Sequence, residues 1–239
     1  MMLKLSNILF LDIETVAQSE NYLKLDEQTQ KLWDKKSANI RNIDELSSEE
    51  MYATKAGIFA EFGKIITIGI GFFNKEKEEK LTLRVKALAD DDEEKLLLEF
   101  KELVNTKFNP KTLVLCAHNG KEFDFPYISR RMLVNGISLP VPFNTAGKKP
   151  WEVAHLDTME LWKFGDRKNY TSLDLLANIF GIESSKDDID GSMVNEVYYA
   201  TGDLERIAKY CKQDVVVAAQ LYLKLNTLPV VEEENIILM

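Results

Sequence analysis

The sequence ILFLDIET at residues 8–15 decides the fold class, because it is typical of a buried β-strand that ends in two carboxylates. Four consecutive apolar residues indicate a strand covered on both faces. Side chains two residues apart on a strand point to the same side, so Asp12 and Glu14 are presented together. Two such carboxylates lose hydration and repel each other, and a divalent cation is the simplest compensation. The alternative is that Asp12 caps a local turn and Glu14 faces solvent.

Length and composition suit one domain. The chain has 239 residues, 45% of them hydrophobic, which is enough for one sizeable core. No apolar run approaches the roughly 18 residues of a membrane helix, and the first ten residues lack the order of a signal peptide. We therefore expect a cytoplasmic protein without membrane association. Cys116 and Cys211 lack CxxC spacing and are expected to be reduced, apolar residues.

The formal net charge of −9 limits the kinds of nucleic-acid binding that the sequence favours. It argues against a protein that holds long nucleic acid through many phosphate contacts, because such binding usually needs a basic surface. It does not exclude an enzyme that grips a few terminal nucleotides, since bound divalent cations add positive charge that the formal count omits.

The first half of the chain combines a helical segment with a hairpin. Residues 17–63 are polar and helical, with a capping box at Ser47–Glu50, and are interpreted as a helical insertion. Residues 64–73 and 81–85 are predicted to be the two strands of a hairpin. A helix with an acidic first turn is predicted to begin at residues 90–94.

The second half alternates strands and helices. We predict strands at 112–117 and 155–157, a helix from near Pro126, a helix at 172–180 that Gly181 ends, and a long amphipathic helix at 203–225. The domain is therefore placed at residues 1–228. Residues 229–239 form a C-terminal tail, for which a frayed terminus, an edge strand and docking on a partner are alternatives.

Further acidic residues occur in this half. Tyr210 and Asp214 are four residues apart on the last helix and so share a face, with Cys211 turned elsewhere. A tyrosine beside an aspartate suits the positioning of a water next to a metal, whereas a packed tyrosine and a solvated aspartate are the alternative. Asp124 lies where the loop after a buried strand meets a helix, so it is either part of the same site or a helix cap.

These three motifs, DIET at 12–15, the segment from Asn119 to Asp124, and YCKQD at 210–214, resemble in order the three exonuclease motifs of the DEDD superfamily. The stretch FDFPYI at 123–128 is most similar to the proofreading exonuclease domain of family B DNA polymerases. The resemblance runs from about Ile8 to Leu225. It implies an α/β, ribonuclease H-like fold, with a central mixed β-sheet that contains an antiparallel hairpin and is flanked by helices.

The third motif resembles the tyrosine branch of the superfamily, because the position where the other branch has histidine is Lys209. The resemblance implies a metal-dependent 3′ to 5′ exonuclease that uses two Mg²⁺ or Mn²⁺ ions about 4 Å apart. Tyr210 would orient the attacking water and not act as the base. An unperturbed phenol has a pKa of about 10 and is therefore protonated at neutral pH. By the same resemblance, the metal ligands are Asp12, Glu14, Asp124 and Asp214.

The resemblance also suggests residues that bind substrate. Asn119 and Phe123 match family positions beside the scissile nucleotide, although core packing is an alternative for Phe123, and Thr15 of the first motif is also expected to bind substrate. Lys163 and Arg167 lie in a locally basic loop that is expected either to take phosphates or to be simply solvated. His118 and His155 lie outside the third motif; His118 is interpreted as a strand-end or loop residue and His155 as structural.

The expected substrate is the 3′ end of a nucleic acid, preferentially single-stranded DNA, with release of nucleoside monophosphates. An RNA exonuclease of the same branch is the nearest alternative, because the carboxylates do not distinguish the two sugars. A non-catalytic nucleic-acid-binding module is the other alternative, although binding alone does not need clustered acids. The chain is expected to be a stand-alone nuclease or a separate subunit with a DNA repair or replication partner protein.

Overall fold

The computed structural model describes residues 4–75, 80–166, 170–183 and 189–239. In these residues six strands form one sheet, in the order β5-β4-β1-β2-β3-β6. β2 is antiparallel to both of its neighbours, β1 and β3, while β4 and β5 continue parallel to β1, and β6 is parallel to β3. The predicted mixed sheet with an antiparallel hairpin is confirmed. The strands are β1 (Ile8–Ala17), β2 (Gly63–Lys75), β3 (Leu81–Ala89), β4 (Val114–Ala117), β5 (Leu156–Asp157) and β6 (Ile236–Leu238).

Local capping explains most helix boundaries. Ser47 and Glu50 form the predicted capping box, Ser172 caps the start of the helix predicted at residues 172–180, and Gly181 ends that helix in the left-handed conformation. The helix at residues 194–201 was not predicted. The helices are α1 (Glu27–Ser37), α2 (Ser48–Lys55), α3 (Glu93–Lys107), α4 (Asp124–Val134), α5 (Thr158–Lys163), α6 (Leu173–Phe180), α7 (Val194–Thr201) and α8 (Leu204–Leu225).

Strand β1 is covered on both faces, as its apolar run predicts. Leu9, Leu11 and Ile13 belong to a core with α3 and α4. Ile8 and Phe10 belong to a second core with α8 on the opposite face. Because side chains alternate along the strand, Asp12 and Glu14 continue the α8 face beyond Phe10.

Two glycines let α8 lie close to the sheet. A Cβ at Gly69 would lie 2.9 Å from the Cys211 Sγ and 3.1 Å from the Cys211 carbonyl oxygen. A Cβ at Gly71 would lie 2.6 Å from a methyl carbon of Val215. Gly69 pairs with Asp12 across the antiparallel ladder, so this close approach brings α8 to the acidic end of β1.

The segment between β1 and β2 contains α1 and α2 and has its own small core around Trp33 and Tyr52. The predicted limits were about residues 17 and 63, and in the structure Ala17 is the last residue of β1 and Gly63 the first of β2. Asn195 of α7 accepts from the Ala17 amide at 2.9 Å and donates to the Ala53 carbonyl at 3.1 Å. The segment is therefore attached at the end of β1, beside the carboxylates.

Of the three alternatives for the C-terminal tail, the structure shows the edge strand, because Ile236–Leu238 form strand β6 of the sheet. Ile236 pairs with Leu83, and the Gln220 side chain of α8 both donates to and accepts from the Val231 backbone. In the part of the chain that the structure describes, no helix is long and apolar enough to cross a membrane.

Candidate active site

The end of β1 presents two carboxylates to α8. Glu14 is only 7% exposed, and the strand register shifts between Glu14 and Thr15. The Oδ2 atom of Asp12 is enclosed and has no hydrogen-bond partner among the described residues. Burial raises the pKa of Asp12 well above its usual value, and three neighbouring carboxylates raise it further: Glu14, Asp214 and Asp124.

Asp124 reaches β1 from the start of α4. Strand β4 pairs with β1 only as far as Phe10, and beyond that point the amide of Ile13 donates to the Asp124 Oδ1 at 3.1 Å. The capping position of α4 is Phe123, so the carboxylate of Asp124 is not the helix cap. Burial raises the pKa of Asp124 to about 7, Asp157 and Asp214 contribute to the increase, and hydrogen bonds from its own amide and from Ile13 oppose it.

Helix α8 supplies the remaining two groups. Tyr210 is 7% exposed, and its hydroxyl donates to Asp214. Burial raises the pKa of Tyr210 far above its usual value, and the charges of Asp214 and Glu14 act in the same direction. The structure therefore brings together the five polar groups of the three motifs, although they come from a strand end, a helix start and the middle of a long helix.

Cys211 does not point away from the site, as its position on the helix predicted. Its thiol is buried and contacts the Asp12 carbonyl oxygen at 3.5 Å. The Sγ atom and one carboxylate oxygen each from Asp12 and Glu14 all lie within 4.8 Å of one another. Because Gly69 brings the helix so close, the residue after Tyr210 also faces the carboxylates.

These donors fit a divalent cation. Burial and the neighbouring carboxylates raise the pKa of both Asp12 and Asp124, and the enclosed Oδ2 of Asp12 has no partner among the described residues, so the cluster needs positive charge to be stable in ionised form. Oxygen donors of this kind suit Mg²⁺ or Mn²⁺. The residues that would hold such an ion are Asp12, Glu14, Asp124 and Asp214.

Asp157 organises the loop beside the site and was not singled out from the sequence. Its carboxylate accepts the amides of Asn119 at 3.0 Å and Lys121 at 3.1 Å, and also those of Met159 and Glu160 at the start of α5. Asn119 has a left-handed backbone with φ of 65°, and its enclosed Oδ1 has no partner within the described ranges. An aspartate directly before a helix and three residues before a glutamate was the available signal.

The other residues that were predicted to bind substrate differ in their burial and in the elements to which they belong. Thr15 is hydrogen-bonded to the Tyr127 hydroxyl, which donates to the Gly57 carbonyl at 2.7 Å. The Phe123 ring is half-buried against the Tyr127 ring, with 5.3 Å between their centroids. Lys163 is the last residue of α5 and not a loop residue as predicted, and Arg167 lies outside the described residues.

Both histidines are hydrogen-bonded within the fold, and His118 directly follows strand β4. The His155 Nδ1 accepts from the Leu115 amide at 3.2 Å, and its Nε2 lies 2.7 Å from the Pro142 carbonyl oxygen. His118 lies between the Thr158 hydroxyl and the Thr171 carbonyl, at 2.9 and 2.8 Å. Burial lowers the pKa of both rings.

Comparison with solved structures gives the class of fold. The family B DNA polymerase from the hyperthermophilic archaeon Pyrobaculum calidifontis matches with a TM-score of 0.52 and 16% sequence identity. The match covers 91% of this chain and 24% of that polymerase. No curated protein matches the sequence. The fold is the ribonuclease H-like fold of an exonuclease domain of the family B polymerase type, as the motifs implied.

The sequence profile of one family matches residues 58–234, which is more than half of the chain. The chain belongs to this family, the predicted 3′-5′ exonucleases related to the exonuclease domain of PolB. The matched region includes Asp124, Tyr210 and Asp214 but begins after Asp12 and Glu14. The place of these two carboxylates in the site therefore rests on the geometry of β1.

Proposed function

We propose that the chain is a cytoplasmic, metal-dependent 3′ to 5′ exonuclease of the tyrosine branch that removes nucleoside monophosphates from single-stranded DNA. The observation that carries the proposal is the convergence of Asp12, Glu14, Asp124 and Asp214 around one enclosed space, with Tyr210 bonded to the last of them. Membership of a family related to PolB supports DNA as the substrate.

The carboxylates and Tyr210 have different roles: the carboxylates would hold the cations, and Tyr210 orients the water. When bound to the carboxylates, two divalent cations would supply stabilisation of the negative charge that develops on the phosphate oxygens. Tyr210 remains protonated because its pKa is raised, so its hydroxyl donates to Asp214 and its oxygen has the capacity to accept from a water. This arrangement orients the nucleophile and makes Tyr210 a positioning group, not a base.

The decisive test is timed degradation of 5′-labelled single-stranded DNA and RNA of the same sequence. With Mg²⁺ or Mn²⁺ we expect a ladder shortened from the 3′ end of DNA, because the label reports the far end. The ladder should disappear with a chelator, and Asp12→Ala should slow it at least about 10³-fold. Faster loss of RNA would make the chain an RNA exonuclease. Absence of shortening of either strand by folded protein would contradict the proposal.

Asp157→Asn is expected to raise KM for DNA about tenfold with a smaller effect on kcat. An asparagine can accept at only one atom, so it cannot hold both the Asn119 and the Lys121 amides as the carboxylate does. Steady-state kinetics on a short oligonucleotide, with melting temperatures measured in parallel, check this result.

A double-mutant cycle shows whether the effect of Asp157→Asn on KM depends on Asn119. If Asp157 acts through Asn119, Asp157→Asn should have little further effect on KM when Asn119 is already alanine. Fully additive effects would mean that Asp157 only stabilises the fold and would remove its positioning role.

A further inference from the structure

A threonine of β2 lies beside the acidic end of β1. Thr67 pairs with Glu14 across the antiparallel ladder. Residues opposite each other in such a ladder point to the same face of the sheet, with Cβ atoms roughly 4.5–5.5 Å apart. Thr67 is therefore the residue of β2 that lies next to the Glu14 side chain.

The glycines of β2 show that this face is the one covered by α8. A Cβ at Gly69 would lie 2.9 Å from the Cys211 Sγ, and side chains two residues apart on a strand share a face. Thr67 thus points to the side where the Cys211 thiol lies together with the carboxylates of Asp12 and Glu14. The three exonuclease motifs do not contain this threonine.

The Thr67 hydroxyl is buried without a hydrogen bond. The residue is 0% exposed, and its Oγ1 has no partner among the described residues. Two other threonines are buried in the described parts of the chain, and both donate to a backbone carbonyl. The Thr82 hydroxyl donates to the Asn74 carbonyl at 3.2 Å. The Thr158 hydroxyl donates to the Ala117 carbonyl at 3.4 Å.

Strand propensity does not explain a threonine at residue 67. Valine has the same shape and the same preference for strands, and β2 has isoleucine at four of the residues 65–70. An enclosed hydroxyl without a partner costs free energy that an apolar side chain avoids. A buried polar group of this kind is typical of a functional position, where an ion or a reacting group supplies the interaction that the fold alone does not.

Glu14 is the metal ligand that most needs a positioning partner. The strand register shifts between Glu14 and Thr15, so the regular ladder is disrupted directly after the carboxylate. Glutamate also has one more rotatable bond than the three aspartates of the site, and fixing it costs more conformational entropy. A hydrogen bond from the neighbouring strand would restrict this side chain.

We propose that Thr67 is a positioning residue for Glu14, and that its hydroxyl donates to the Glu14 carboxylate when this carboxylate holds a divalent cation. The inference rests on the proposed function, because it takes Glu14 as a metal ligand. An ionised carboxylate has about four acceptor sites, so Glu14 can hold a cation and accept a hydrogen bond at the same time. Such outer hydrogen bonds orient ligating carboxylates and raise the affinity for the metal.

Calorimetric titration of Mn²⁺ into the native protein and Thr67→Val tests the proposal without cleavage. Valine keeps the shape and removes the hydroxyl, so the Kd for Mn²⁺ should rise about tenfold or more. The free energy of unfolding, measured in denaturant with chelator, should not fall, because the variant removes an unpartnered buried hydroxyl. Asp12→Ala identifies the part of the heat that comes from this site.

Thr82→Val is the matched control. It also removes a buried threonine hydroxyl from the sheet, but that hydroxyl bonds Asn74 near the far end of β2. Its affinity for Mn²⁺ should equal that of the native protein, while its stability falls because the hydrogen bond is lost.

Thr67→Ser separates positioning from packing. Serine keeps the hydroxyl and removes a buried methyl group, so the stability of this variant should fall. Its affinity for Mn²⁺ should stay within a factor of about three of the native value, because the donor to Glu14 remains. A role in packing alone would give the opposite pattern, with the larger defect in serine than in valine.

Two results would overturn the role of Thr67 by itself. One is native affinity for Mn²⁺ in Thr67→Val, and the other is an equal loss of affinity in Thr67→Val and Thr67→Ser. A native protein that binds no Mn²⁺ at the site would instead contradict the proposed function, and the role of Thr67 with it. The titration of the native protein therefore distinguishes the two failures.

Discussion

Tyr210→Phe is expected to lower kcat about 100-fold or more while leaving metal binding unchanged. The variant removes only the hydroxyl that donates to Asp214 and accepts from water, and it keeps the ring that packs against Val16 and Ile66. Loss of one positioning group for a nucleophile typically costs this much. Single-turnover cleavage of a labelled oligonucleotide measures the rate, and calorimetric titration with Mn²⁺ measures the ions.

Tyr198→Phe is the matched control for this experiment. It also removes one phenolic hydroxyl, but that hydroxyl bonds Asp91 and Lys64 away from the carboxylates. Its rate should stay within a factor of about two of the native rate, since surface substitutions away from a site usually have small effects. Equal rates for Tyr210→Phe and the native protein would remove the assigned role of Tyr210.

The metal-free protein is expected to lose stability as pH rises from about 5 to 8. The pKa of Asp124 is raised to about 7, so the folded protein keeps a proton that the unfolded chain releases near pH 4. The stabilisation is complete below the unfolded pKa and is lost as pH rises through the folded pKa. One such group lowers the free energy of unfolding by roughly 2–3 kcal/mol over this interval, and the raised pKa of Asp12 acts in the same direction.

Denaturant unfolding at several pH values, with chelator and with saturating Mn²⁺, measures this effect. The cation should remove most of the loss, because it stabilises the ionised folded state by mass action. Asp124→Asn should have a flatter pH profile than the native protein, since an amide releases no proton. The lowered pKa values of His118 and His155 favour a rise in stability over the same interval in both proteins, so equal pH profiles for the native protein and Asp124→Asn would show that Asp124 keeps no proton in the folded state.

Much of the fold follows from local signals in the sequence. The run at residues 8–15 predicts a strand buried on both faces, and serine, aspartate or glycine at helix ends predicts where several helices begin and stop. The missed helix α7 begins after Met193, whose side chain makes no capping bond, so no boundary signal precedes it. Ile236–Leu238 of the tail become an edge strand only because the side of β3 is open to them.

The site was predictable wherever one element presents two groups, and not where two elements meet. The alternation of β1 places Asp12 with Glu14, and the turn of α8 places Tyr210 with Asp214. The bond from the Ile13 amide to Asp124 joins residues 111 positions apart, and no local pattern contains it. The orientation of Cys211 depends on Gly69, whose missing side chain sets the approach of a helix more than a hundred residues away.

The central place of β1 has a consequence for how the chain folds during synthesis. This strand is made before both of its neighbours in the sheet, β2 and β4, and Val114 of β4 pairs with Ile8. At ordinary elongation rates, β1 waits roughly 5–20 s until β4 has been made. An unpaired apolar strand is prone to self-association, and charged residues next to such a strand suppress it. Asp12 and Glu14 interrupt the apolar run at residues 8–17, so the same two carboxylates protect the nascent chain before the site exists.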